Sequence, residues 1–533
     1  MQKYLLAFIF VISSGLVQSQ KPGAAIDVLH YQFGIELSDE NDTIRGNAVI
    51  EVKILKDTNR ISFDFASKNE SGKGMNVISI NEKDQTLLYT QAHDELTIRF
   101  AENAKKGATK TINIAYKGIP IDGLIISLNK YGHRTFFADN WPDRAHQWLP
   151  CVDHPSDKAA VDFIVRAPEH YQIISNGMET EVTNLPGHIK QTHYEEKVSL
   201  PTKVMVIGAA DFAVNYSGDD GCIQIYSWVY PEEKEKGFYD YGLAKNILPF
   251  FIDHVGPYPY RKLANVQSKT TFGGMENASA IFYNENSVKG DQTIEAVLAH
   301  EIAHQWFGNS ATETDWQHIW LSEGFATYMT NLYLENKYGP DTLLTRMKDD
   351  RKQVIAYSKL ITKPVVDTSV TNNFVQLLNV NSYQKGGWVL HMLRRKLGDD
   401  IFWKGIRKYY ADYAGRNADT EDFRMAMESV GRQDLKQFFR QWLYLPGQPE
   451  LSLAWNYDAA KRLATITIKQ LQEGLFEFPV ELELIYGTKR ISKSVLIKEK
   501  TSVFTLPLAS KPTQLLMDPK GNLLFEGEVK EIK

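Results

Sequence analysis

The chain has 533 residues, with 60 Lys and Arg against 65 Asp and Glu and a net charge of −5. Its 43% apolar and 23% charged residues are the balance of a soluble globular protein, and its length calls for about three or four domains rather than one. Charge of either sign forms no long run, so a nucleic-acid or membrane-surface partner has no electrostatic support.

The first element is a leader. Lys3 precedes the apolar run Tyr4 to Ile12, followed by Ser13, Ser14, Gly15 and the small-residue spacing Val17 and Ser19 before Gln20. This layout predicts a signal peptide over 1–19, cleaved after Ser19, and a secreted or periplasmic protein. The run is nine residues long, whereas a bilayer span needs about 20. Later segments contain no membrane span either. The two cysteines, Cys151 and Cys222, are too few for a disulfide scaffold and are expected to be unpaired and part-buried.

Strands follow. Tyr31, Phe33, Ile35 and Leu37 alternate with polar or small residues, as do Ala48, Ile50, Val52 and Ile54. The pattern predicts an N-terminal β domain, a sandwich or saddle, over 24–228, with the segment 216–221 as a turn near its end. From Phe238 helical spacing takes over, in 239–255, 291–308 and 322–339, then in 341–360, 383–397 and 420–445. A mostly helical domain is thus expected over 229–447, closing at the Pro- and Gly-rich Leu445 to Glu450. Alternation returns at Ala464, Ile466, Ile468 and at Val480, Leu482, Leu484, which predicts a small C-terminal β-sandwich over 448–533.

The chemistry concentrates in AHEIAHQWFGN. His300 and His304 stand at i and i+4, on one face of a helix, where both imidazoles reach one metal. Glu301 lies beside that metal, placed to take a proton from an attacking water. With eighteen residues between it and His304, WLSEGFATY supplies Glu323. Two His and one carboxylate leave a fourth position open, the arrangement of a catalytic zinc.

With these motifs the chain resembles the aminopeptidase N family of zinc peptidases, whose relatives include leukotriene hydrolase. FGGMENASA (272–280) resembles the family's G-x-M-E-N segment, SYQKGGWVLHML (382–393) its Y-x-K-G segment, and RQWLYLPGQPEL (440–451) the end of its catalytic domain. PCVDHPSDKA (150–159) and PTKVMVIGAADF (201–212) resemble parts of its N-terminal domain. The resemblance implies a multidomain α+β fold with a thermolysin-like catalytic domain. It implies one Zn²⁺ per chain on His300, His304 and Glu323. It also implies a peptide substrate with a free N-terminus, its α-ammonium held by Glu276. Tyr383 would donate to the oxyanion, and Gly273, Gly274 and Met275 would line the substrate strand.

Three features depart from the family pattern. The usual D-E-P is Asp153, His154, Pro155, with no ligand role expected for His154. Where a second amine-binding Glu or Gln often stands, this chain has Trp141, so that anchor is either missing or supplied by Asp139. The helical C-terminal domain of many relatives is not expected. Rival readings are an endopeptidase, an epoxide-hydrolase-like activity on the same scaffold, and a non-catalytic peptide-binding relative. Side-chain preference and oligomeric state are not legible.

Overall fold

Alternating side chains decide the first third of the chain. In the computed structural model, which describes residues 24–532, the strand Ile26–Glu36 pairs with Ile44–Ile54 so that Tyr31 faces Ile50 and Phe33 faces Ala48, all buried. These strands sit inside an eight-stranded sheet in which Ile26–Glu36 also runs parallel to Lys158–Pro168. Smaller sheets of four and three strands complete this β-rich region. The expected leader, 1–19, lies outside the described residues. Within them, no helix is long and apolar enough to cross a membrane. Cys151 and Cys222 are unpaired, but neither is part-buried: the first is buried and the second exposed.

The sequence placed the strands near 213–228 at the end of the N-terminal unit. In the structure Ala213–Asp220 and Ile223–Val229 form a hairpin, turning at Gly221 and Cys222, that belongs to the next sheet. Ile223–Val229 pairs in parallel with Lys262–Ser268, which pairs in parallel with Ala280–Asn284. Every residue of Lys262–Ser268 is buried. A strand covered on both faces shows no alternation, so Lys262–Ser268 left no periodic trace in the sequence. Its edge strand is Gly274–Met275.

Among the described residues nine helices follow the change of period: α1 Lys234–Tyr241, α2 Ala244–His254, α3 Glu295–His304, α4 Trp320–Tyr338, α5 Pro340–Ser358, α6 Gly386–Leu397, α7 Asp399–Tyr413, α8 Thr420–Gly431 and α9 Lys436–Phe439. Gly339, at φ 95°, ends α4, and Pro340 opens α5. The helical stretch expected over 420–445 breaks in two. Arg432 adopts φ 51° after α8, whose start is held by reciprocal bonds between Asp419 and Asp422. Helix α7 was not among the expected helices, although Phe402, Ile406 and Tyr409 form its buried stripe.

The C-terminal region is two sheets of four and three strands, with Ala464, Ile466, Ile468, Val480, Leu482 and Leu484 buried. The three regions are therefore β-rich, mostly helical and β-rich in turn. Polar contacts join the first two: Lys203 pairs with Glu313 out of solvent, and Lys158 donates to the carbonyls of Asn309 and Ser310.

Candidate active site

Helices α3 and α4 pack side by side and supply the centre of the site. His300 and His304 project from one face of α3, and Glu323 from the first turn of α4. The two Nε2 atoms are 3.1 Å apart, and Glu323 Oε2 lies 3.4 Å from His300 Nε2 and 3.3 Å from His304 Nε2. His304 Nδ1 meets the Phe307 carbonyl at 3.1 Å and Ser322 Oγ at 3.0 Å, which turns Nε2 toward Glu323. Gly308, at φ 109°, makes this possible, since a Cβ there would stand 2.1 Å from Ser322 Oγ.

These three residues fit a metal ion. Ligands about 2.05 Å from a tetrahedral centre stand about 3.3 Å from one another, the spacing found here. Glu323 Oε2 is buried, and beyond its contacts with the two imidazoles it has no polar partner. Burial opposes charge on Glu323, yet His304 and His300 hold it well below the usual carboxylate range. Among the described residues this is the one His, Cys, Asp and Glu cluster able to hold a metal.

Glu301 and Glu276 flank the centre. Burial raises the Glu276 carboxyl and pushes that of Glu301 well above its ordinary range, each partly offset by His304. Gly274 stands against Glu301 so closely that a Cβ would lie 2.3 Å from Oε1. Glu276 Oε1 is buried without a partner and faces the cavity. Its backbone is fixed from below: Gln305 Nε2 and Asn309 Nδ2 donate to the Glu276 carbonyl at 2.8 and 2.6 Å. Sequence reasoning missed these two residues, although both stand in the quoted AHEIAHQWFGN.

Tyr383 arrives from a third element. Residues Asn381–Lys385 make a wide turn in which the Lys385 amide bonds the Val380 carbonyl, five residues back. The turn presents the Tyr383 ring to His300, centroids 5.9 Å apart and nearly parallel. Burial, with Glu323, Glu276 and Glu301 nearby, raises its phenol far above the ordinary range and keeps it a proton donor. Lys385 anchors the turn by donating to the Gly447 carbonyl at 2.7 Å, which ties in the Pro- and Gly-rich segment.

All nine residues singled out in the sequence meet around one cavity of about 410 Å³. Trp141 lines it too, packed edge-on against Phe272 and Trp316. Asp139 does not reach it. Its carboxylate is spent on Arg144 at 2.6 Å and Thr270 at 3.2 Å, so the alternative in which it supplies a second anchor fails. Arg346 and Asp350 of α5 form a further polar wall that the sequence reading did not foresee.

Residues 28–204 match the family model described as the peptidase M1 N-terminal domain, and residues 239–442 match the peptidase family M1 domain. Aminopeptidase M1-C of Oryza sativa subsp. japonica is 30% identical over 324 residues, covering 58% of this chain and 37% of that protein. Aminopeptidase 2 of Candida albicans is 24% identical over 529 residues, covering 92% of this chain and 55% of the relative. The chain thus spans between about a third and about half of the length of these relatives. In fold it is similar to the crystal structure of Legionella pneumophila aminopeptidase A in complex with aspartic acid. That match has a TM-score of 0.82 and 18% identity, covering 95% of this chain and 60% of the other.

Proposed function

The chain belongs to peptidase family M1, and from that premise we propose that it is a zinc-dependent aminopeptidase with one zinc per chain. One observation carries the reading: the unpaired, buried Glu276 carboxylate shares a cavity with the converging His300, His304 and Glu323. Zinc bound at that cluster supplies a Lewis acid, lowering the pKa of water toward about 7 and polarising a carbonyl. The remaining work falls to side chains. Glu276 binds the substrate's α-ammonium and so sets the distance to the first peptide bond. Gly274–Met275 is an edge strand, able to pair with an extended substrate backbone. Glu301 takes the proton of the attacking water and returns it to the leaving amine. Tyr383 donates its phenolic hydrogen to the carbonyl oxygen as that atom gains charge.

The test is a panel of aminoacyl-fluorogenic substrates and peptides, free or N-acetylated, with and without chelator. The reading expects stepwise release of N-terminal residues from free-amine peptides only, lost on chelation and regained with Zn²⁺. Efficient internal cleavage of an acetylated peptide would replace it with an endopeptidase, and metal retention without any hydrolysis with a binding protein.

A further inference from the structure

The cavity has two polar ends. Toward the C-terminal end of α3 lies Glu276, its backbone held by Gln305 and Asn309 just beyond the helix. At the other end, Tyr333 of α4 donates to Glu295 in the first turn of α3. Arg346 stands at this end. It projects from α5 with its Nε donating to Asn331 Oδ1, one residue past the cavity-lining Thr330 of α4. The metal-fitting cluster therefore lies between a carboxylate and a guanidinium.

Distance and valence both bear on what Arg346 can do. From Glu323 to Asn331 is eight residues of α4, about 12 Å of helix axis. Two extended residues of a peptide span about 7 Å, and the arginine side chain covers the remainder. Among the described residues Arg346 forms no ion pair, although its charge reaches Asp350 one turn further along α5. Its one hydrogen bond uses Nε, which leaves the two terminal nitrogens to form a fork for a planar anion. Asp350, on the same face of α5, is engaged by Asn331 Nδ2 at 3.3 Å. Ala296, Val297 and Leu378 add apolar surface to this end, beside the uncharged Thr327, Thr330 and Gln384.

We propose that Arg346 is a specificity-determining residue that binds a carboxylate one or two residues beyond the scissile bond. This rests on the aminopeptidase reading, in which Glu276 holds the amino end and the leaving portion runs past His300. The carboxylate is either the C-terminus of a short peptide or an acidic side chain of the leaving residue. In both cases Arg346 draws it away from the bond being cut and holds the substrate by two charged ends.

Two substrate pairs separate the sources, each sharing one well-cleaved first residue: a dipeptide ending in Ala against its amide, and an amidated tetrapeptide with Glu second against its Gln counterpart. The kcat/KM ratio within a pair is the readout, so any uniform loss of activity cancels. The wild type should favour the carboxylate member of at least one pair by about ten- to a hundredfold, the worth of a charge-assisted bond. Arg346→Met should bring that ratio near one, Arg346→Lys should keep part of it, and Asp350→Asn should raise it by removing a competing charge. Should Arg346→Met not fold, the wild-type ratios and Asp350→Asn decide alone. Wild-type ratios near one in both pairs, or a ratio unmoved by Arg346→Met, would overturn the proposal while leaving the aminopeptidase reading intact. Failure of the wild type to cut any free-amine peptide would sink that reading instead.

Discussion

Gly324 and Gly386 meet backbone to backbone: a Cβ on Gly324 would stand 2.9 Å from the Gly386 Cα and 3.0 Å from the Ser382 carbonyl oxygen. The residue after Glu323 thus touches the turn that carries Tyr383, and the absence of both side chains lets α4 and α6 come this close. Gly324→Ala should force them apart at a cost of about 1–3 kcal/mol, as overpacking does. Under the proposed mechanism kcat should fall more than KM rises, because Tyr383 moves and Glu276 does not. A variant with a lowered melting temperature and unchanged kcat would show that this contact serves stability alone.

Glu301→Gln should keep the metal, measured by atomic absorption, yet lose on the order of 10²–10⁴ in kcat, the usual worth of a general base. Tyr383→Phe should fold normally and lose about 10²–10³ in kcat with little change in KM, as when one oxyanion donor is removed. If Tyr383→Phe raises KM and spares kcat, the phenol binds substrate and takes no part in the chemical step.

Glu276→Gln should raise KM for free-amine peptides and lower kcat through lost positioning, with metal content unchanged. An N-acetylated substrate leaves the wild-type carboxylate without its partner, so acetylation should cost the wild type far more than it costs the variant. Equal penalties in the two proteins would remove Glu276 from amine binding.

Lys203 and Glu313 are both withdrawn from solvent and paired across the two regions, with the Lys203 ammonium also over the Trp316 ring. Lys203→Met leaves Glu313 buried and unpaired and should cost about 3–5 kcal/mol in denaturant unfolding. The double variant Lys203→Met with Glu313→Leu should recover most of that loss, because no charge is left stranded. A double variant as unstable as the single one would mean that packing, not charge, sets the cost.

His146 gives a pH signature. Burial opposes its charge, but Asp153 Oδ2 at 2.8 Å outweighs this and pushes the imidazole up to about 9 from 6.5. The folded pKa exceeds the unfolded one, so the stabilisation is complete below about pH 6.5 and disappears as pH rises through about 9. A shift of that size corresponds to on the order of 3 kcal/mol. Melting temperatures of wild type and His146→Asn should therefore converge between pH 6 and 10. A constant gap would show that His146 contributes by packing rather than by its proton.

Local periodicity made much of this legible. Alternation marked which residues of Ile26–Glu36 and Ile44–Ile54 face inward, and the same rule held for Ala464, Ile466 and Ile468. It failed at Lys262–Ser268, where burial on both faces erases the pattern, and although it marked Ala213–Val229 as strands it could not tell that their pairing partner lies across α1 and α2. Helix α7 carries a stripe of Phe402, Ile406 and Tyr409 at helical spacing and is legible from local sequence alone.

The sequence by itself determined that His300 and His304 share a helix face with Glu301 beside them, since spacing along one helix is local geometry. It also offered Glu323 as a third ligand by type and spacing, and Glu276 and Tyr383 through motif resemblance, without any indication of how they meet. Only the tertiary structure decided that Glu323 completes the cluster at 3.3 and 3.4 Å, that Gly274 makes room for Glu301, and that Asp139 is spent on Arg144. Arg346 was invisible for the same reason. Its role depends on Asn331 and on a cavity shared with residues 70 positions upstream, and contacts of that kind arise from how helices and sheets pack, which no period in the chain encodes.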